Sequence, residues 1–190
     1  MYTIARRIAF IIALTMAAAL SAPAAPSHKI LVAYYSNTGN TRAVANYIHE
    51  LVGGDLYEIK LATPYPDDYD ALASQAKREI EAGFKPTLNG KVADFASYDL
   101  VFIGSPVWYG TLPPPVSSFL ASYDFSGKTI VPFCTYFASR QGKTISAIKE
   151  LCPRAKMLDG IAVLGSDARN SRSDVAAWLR RDGLIDSPSK

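Results

Sequence analysis

Short apolar runs at Lys29–Tyr35, Leu100–Ile103, Val131–Cys134 and Ile161–Leu164 alternate along this chain with segments of helical period. A strand that is apolar along its whole length has to be buried on both faces, and helices are what cover such strands. The alternation therefore predicts βαβ units and an α/β fold with a parallel sheet. Right-handed crossovers leave few topologies, of which a doubly wound five-stranded sheet in the order 2-1-3-4-5, with helices on both faces, is the natural one. In such a sheet a ligand sits beyond the carboxyl ends of strands 1 and 3, where the winding reverses.

The helical segments follow from spacing and punctuation. Thr41–Leu51 places Val44, Ile48 and Leu51 on one face and ends at Gly53-Gly54. Asp67–Gly83 follows Pro64 and Pro66, with Asp67-Asp68 read as its start, and stops at Gly83. Lys143–Leu151 precedes Pro153, and Asp174–Arg181 precedes Gly183. Asp55–Leu61 alternates as the remaining strand, with Leu56, Ile59 and Leu61 as inward candidates.

The first strand empties into Ser36-Asn37-Thr38-Gly39-Asn40-Thr41, and a helix opens near Asn40. Hydroxyls from Ser36, Thr38 and Thr41 and the amide of Asn40 exceed what one helix cap needs. Gly39 lets the backbone curl. The first N–H groups of the helix lack intrahelical partners and lie at the positive end of its dipole. No lysine follows the glycine, which excludes a nucleotide-triphosphate P-loop, and G-x-G-x-x-G is absent. A neutral, hydroxyl-lined cradle of this kind suits a terminal phosphate monoester.

The switch-point rule demands a second binding loop after Ile103. There Gly104-Ser105-Pro106-Val107-Trp108-Tyr109-Gly110-Thr111-Leu112-Pro113-Pro114-Pro115 sets two aromatics in a proline-stiffened segment. Trp108 and Tyr109 offer rings for stacking a flat ligand, or alternatively plug the core and cover Pro113. A third loop, Cys134-Thr135-Tyr136-Phe137-Ala138-Ser139-Arg140-Gln141-Gly142-Lys143, ends the next strand with two aromatics and two cations.

At 190 residues, nearly half of them apolar, the chain is long enough for one sizeable domain, read as residues 27–190. Residues 1–26 read as an export leader: Arg6-Arg7, an apolar run from Ile8 to Leu20, then Ser21-Ala22-Pro23-Ala24-Ala25-Pro26. The run is shorter than the ~20 residues of a spanning helix, so the expected location is the periplasm, with an uncleaved membrane anchor as the alternative. Without Arg6 and Arg7, 18 of the 20 basic residues face 17 acidic ones, so the mature protein is almost neutral. No basic stripe points to nucleic acid. Cys134 ends a strand and Cys152 ends the helix running back from it. About ten helical residues at ~1.5 Å each separate the sulfurs too far for a disulfide, which predicts two buried free thiols. His28 and His49 are isolated, nothing clusters around Asp67-Asp68, and no Cys/His spacing suggests zinc. The sequence thus offers no catalytic acid, base or nucleophile and no metal site.

The S-N-T-G-N-T loop, the G-S-P-V-W-Y-G-T-L-P loop and the P-F-C-T stretch together resemble the flavodoxin-like FMN-binding proteins, in particular their short-chain branch. The resemblance spans about Lys29 to Gly183. It implies FMN, with its phosphate on Ser36, Thr38, Gly39, Asn40 and Thr41. It places the isoalloxazine ring against Pro106, Val107, Trp108, Tyr109 and Gly110. It puts Thr135, Tyr136 and Phe137 along the pyrimidine side. The chain departs from relatives in its bulkier third loop, its leader and its near neutrality. The implied role is electron transfer or a small flavin-dependent oxidoreductase, with a redox protein, a quinone or NAD(P)H as partner. The altered third loop leaves a flavin-free binding or scaffolding module as the alternative. Neither Ser105–Leu120 nor Cys134–Lys143 contains a carboxylate, so a bound flavin's reduced form should be less disfavoured than in an acidic carrier.

Overall fold

The computed structural model describes residues 28–186; the leader expected at residues 1–26 lies outside the described residues. In chain order the elements are β1 (Ile30–Tyr34), α1 (Asn40–Val52), β2 (Asp55–Glu58), α2 (Tyr69–Glu81), β3 (Leu100–Pro106), α3 (Pro114–Ala121), β4 (Thr129–Tyr136), α4 (Thr144–Leu151), β5 (Lys156–Met157), β6 (Ile161–Leu164) and α5 (Arg172–Arg181). Every strand pairing is parallel, in the order β2-β1-β3-β4-β5, with β6 also on β4.

Period-two alternation sorts the central strands between two cores. Leu31 and Ala33 of β1 join Val101 and Ile103 of β3 on one face, under Val116, Phe119 and Leu120 of α3 and Ile148 of α4. Val32 and Tyr34 join Leu100 and Phe102 on the other, under Val44, Ala45 and Ile48 of α1 and Val175, Trp178 and Leu179 of α5. Helices therefore cover both faces, and the predicted doubly wound sheet of order 2-1-3-4-5 is the one observed.

The fifth strand comes in two pieces. β5 pairs with the start of β4 and β6 with its end. Between the pairs Ile130↔Met157 and Phe133↔Ile161 the edge strand carries one residue more than β4. The break falls beside Pro132, which has no N–H for a ladder; a proline inside a sheet belongs at such a bulge. Gly160 passes so close that a Cβ there would stand 2.5 Å from the Pro132 carbonyl oxygen.

Three elements differ from expectation. The helix α3 was hidden by Pro113-Pro114-Pro115, which reads as a stiff loop. Proline is nevertheless at home in a first helical turn, where its missing N–H has no partner to lose. The strand expected over Asp55–Leu61 stops at Glu58. Leu56, expected inside, is 39% exposed because β2 is the sheet's edge, whereas Ile59 is buried and Leu61 bridges to Leu88. Helix α2 begins at Tyr69, with the Asp68 carboxylate accepting a hydrogen bond from the Ala71 N–H at 2.8 Å. Cys134 and Cys152 are both free and buried. No helix among the described residues is long and apolar enough to cross a membrane.

Candidate functional site

The reversal of winding lies between β1 and β3, which pair from Ile30↔Leu100 to Tyr34↔Gly104 and send their following helices to opposite faces. The first and second loops therefore leave from adjacent strand ends. The third leaves from β4 next door, where Pro106 pairs with Thr135. The turn after β6 arrives beside them, with the Gly165 N–H donating to the Tyr136 carbonyl at 2.8 Å.

The first loop is organised by Ser36, whose hydroxyl oxygen accepts from the Gly39 N–H at 3.1 Å and the Arg42 N–H at 3.2 Å. Two amides at the start of α1 are thus already used. Among the described residues, the backbone N–H groups of Thr38, Asn40 and Thr41 have no protein partner, as the first turn of a helix dictates. Gly39, at φ 90°, is the residue before the helix. Asn37 and Thr38 are exposed, and Ser36, Gly39 and Asn40 are half-buried. The Thr41 hydroxyl is instead buried, and lies 2.8 Å from that of Thr135. Arg42 pairs with Glu58, and that hydrogen bond is the main cause holding its guanidinium above the usual arginine range.

The second loop closes as a two-residue hairpin: the Trp108 N–H donates to the Thr111 carbonyl at 3.0 Å, and the Thr111 N–H to the Trp108 carbonyl at 2.9 Å. Tyr109 and Gly110 both have positive φ, 48° and 74°, as a primed turn requires. Pro106 and Val107 are half-buried, and the Val107 N–H donates to the Thr135 carbonyl at 2.8 Å. Trp108 is half-buried rather than open. Its indole packs edge-on against Tyr35, with ring centroids 5.7 Å apart, and against Tyr65 at 5.2 Å. Tyr109 is 56% exposed, and its hydroxyl donates to the Ala73 carbonyl of α2 at 2.9 Å. A hollow of about 220 Å³ separates this loop from α2.

In the third loop Thr135 is buried, Tyr136 half-buried and Phe137 93% exposed. The loop is pressed against the second. The Lys143 N–H donates to the Gly110 carbonyl at 2.6 Å, and a Cβ on Gly142 would fall 2.2 Å from that same oxygen. The predicted residues accordingly form one constellation at the sheet's mouth, with Thr41 and Thr135 lodged beneath it and Phe137 standing clear.

Sequence reasoning missed residues contributed from elsewhere. Tyr65 donates to the Glu79 carboxylate of α2 at 2.5 Å, which sets one acid group behind Trp108. Burial first, then Glu79, holds the hydroxyls of both Tyr35 and Tyr65 far above the ordinary tyrosine range. Arg169, in the 3-10 turn Ala168–Asn170 after β6, places a guanidinium nitrogen 3.7 Å from where a Gly39 Cβ would stand. The cradle is therefore not neutral. Applying the strand-end rule to the loop after Leu164 would have pointed to this segment.

A doubly wound sheet with hydroxyl-rich and aromatic loops meeting at its switch point defines the class. The family model described as Flavodoxin matches residues 29–182, and the chain belongs to the flavodoxin family. Among solved structures it is similar to a candidate flavoprotein from Bacteroides eggerthii, at 32% identity and TM-score 0.73, covering 82% of this chain and 98% of that one. A second, from Bacteroides uniformis, matches at 32% identity and TM-score 0.72, covering 80% and 98%. A flavoprotein in complex with FMN from Lactobacillus acidophilus matches at 26% identity and TM-score 0.64, covering 80% and 98%. No curated protein matches the chain.

Proposed function

We propose that this protein binds FMN and works in electron transfer, either as a carrier or as a small flavin-dependent oxidoreductase. The observation that carries the reading is the pair of unpartnered N–H groups on Asn40 and Thr41. They stand at the positive end of α1 beside the exposed residue Thr38, and the strand next to β1 leads into the loop that carries Trp108 and Tyr109. A phosphate monoester satisfies such donors, and the family membership and the FMN complex of the Lactobacillus relative support the same ligand.

The phosphate would be held by Thr38, Asn40 and Thr41, with Ser36 shaping the turn. The ring would lie against Pro106, Val107, Trp108, Tyr109 and Gly110 on one side and Tyr136 and Phe137 on the other. When bound, the flavin supplies the one- and two-electron chemistry. This chain's residues orient it, exclude water with the Trp108–Tyr35–Tyr65 cluster, and set its electrostatic surroundings. Arg140 and Lys143 leave exposed cations on the third loop, suited to an anionic donor or acceptor such as NAD(P)H or an acidic protein surface. The Arg6-Arg7 leader supports export to the periplasm.

Titrating purified protein with FMN tests the reading. Binding will quench flavin fluorescence and shift the visible bands at a 1:1 end point. A protein that stays colourless after incubation with excess FMN would overturn it in favour of a flavin-free module.

A further inference from the structure

We propose that Arg169 is the cation that makes the socket select a phosphorylated flavin over an unphosphorylated one; this rests on the FMN reading above. The cations near the socket differ in whether a carboxylate neutralises them. Arg42 faces Glu58, and Arg172 faces Glu50 at 3.4 Å. Among the described residues the Arg169 guanidinium has no carboxylate partner. The acid on its own turn, Asp167, accepts instead from the Ser166 hydroxyl at 2.9 Å.

The backbone that carries this cation is held in place. The Arg169 carbonyl accepts from the Tyr47 hydroxyl of α1 at 2.5 Å, and the Ser171 hydroxyl donates to the Ala168 carbonyl at 2.9 Å. Ala168 is fully buried in the core that α1 and α5 share. The turn is thus docked on the helix whose N-terminus forms the socket. Its arginine reaches Gly39, with a guanidinium nitrogen 3.7 Å from where a Cβ there would stand. A guanidinium fork matches phosphate oxygens geometrically, and charge-assisted bonds of this kind are the strong ones. Helix amides and hydroxyls already favour an anion; a guanidinium adds a full positive charge that an unphosphorylated flavin has no group to answer.

The test measures dissociation constants of FMN and of riboflavin by fluorescence titration for the wild type, R169K and R169A. The expected result is an FMN affinity about tenfold to a hundredfold weaker in R169A. R169K should be intermediate, because charge without the fork recovers part of the effect. Riboflavin affinity should stay within about twofold throughout. Truncation keeps the backbone carbonyl that Tyr47 uses, so the thermal midpoint should not move. An R169A protein that binds FMN like the wild type, or that loses FMN and riboflavin equally, overturns the proposal but not the reading that the wild-type protein binds FMN. A wild type that binds neither flavin overturns the FMN reading, and this inference with it.

Discussion

The hydroxyls of Thr41 and Thr135 meet at 2.8 Å inside the protein, tying the first turn of α1 to the end of β4 across 94 residues of sequence. Both side chains are almost wholly buried, so each is the other's answer to desolvation. Valine keeps the shape of threonine and removes the hydroxyl. T41V or T135V alone should cost about 1–3 kcal/mol, because the surviving hydroxyl is left buried and unpaired. The double variant should cost clearly less than the two singles together. Urea unfolding of the four proteins gives the cycle, and additive losses would show that the two groups do not depend on one another.

The contact between the second and third loops rests on a missing side chain. Gly142 sits at φ 49° with its would-be Cβ 2.2 Å from the Gly110 carbonyl oxygen, whereas a Cβ on Gly110, at φ 74°, would meet nothing within 4 Å. G110A should therefore cost only the left-handed backbone penalty of about 1–2 kcal/mol. G142A carries that penalty and also forces the loops apart, so it should be the more damaging variant by denaturant midpoint. Equal losses would mean that the loops separate freely.

Burial pushes the Cys134 thiol up to about 12 and the Cys152 thiol up to about 11. The Tyr98 hydroxyl is likewise pushed up to about 12, by burial first and then by its hydrogen bond to Asp55. All three are acids whose neutral form the fold favours. Their contribution is complete below the unfolded values of 9.0 for the thiols and 10.0 for tyrosine, and is lost as pH climbs toward the folded values. Stability should be flat through neutrality and fall above about pH 9, with Cys134 adding up to ~1.4 kcal/mol per pH unit. C134A should show a shallower alkaline decline in urea midpoint than the wild type. At neutral pH neither thiol should react with a disulfide reagent until the chain unfolds.

Much of the fold was legible because it depends on local pattern. Leu31, Val32, Ala33 and Tyr34 are apolar in succession, and the structure assigns them alternately to two cores. Helix α3 was not legible, since three prolines give the same local signal at a helix start as in a rigid loop. The interruption at Gly160 was not legible either, because its cause, Pro132, lies on another strand. At the site, the density of hydroxyls in residues 36–41 announced polar chemistry but not its partition. Which hydroxyl faces outward and which meets Thr135 depends on β4. Arg169 reaches the same loop from the far end of the chain, and no spacing within the loop encodes it.

Tyr109 holds a left-handed conformation, φ 48°, that a bulky side chain resists by about 1–2 kcal/mol. Its ring is more than half exposed, so burial does not explain why tyrosine stands there, and its hydroxyl recovers only one hydrogen bond, to the Ala73 carbonyl. Asparagine adopts this turn position with little strain. Y109N should therefore fold with stability equal to the wild type or up to ~1 kcal/mol higher, while Y109F, which keeps the strain and loses the bond, should fall by about 0.5–1.5 kcal/mol. If the ring is present for the flavin, the order inverts for binding: Y109F should hold FMN nearly as the wild type does, and Y109N several-fold more weakly. Denaturation and FMN titration on the same two variants separate the effects. A Y109N protein with unchanged FMN affinity would show that the strained residue serves the loop's attachment to α2 and not the ligand, because backbone strain kept at an exposed position calls for a function that stability alone does not provide.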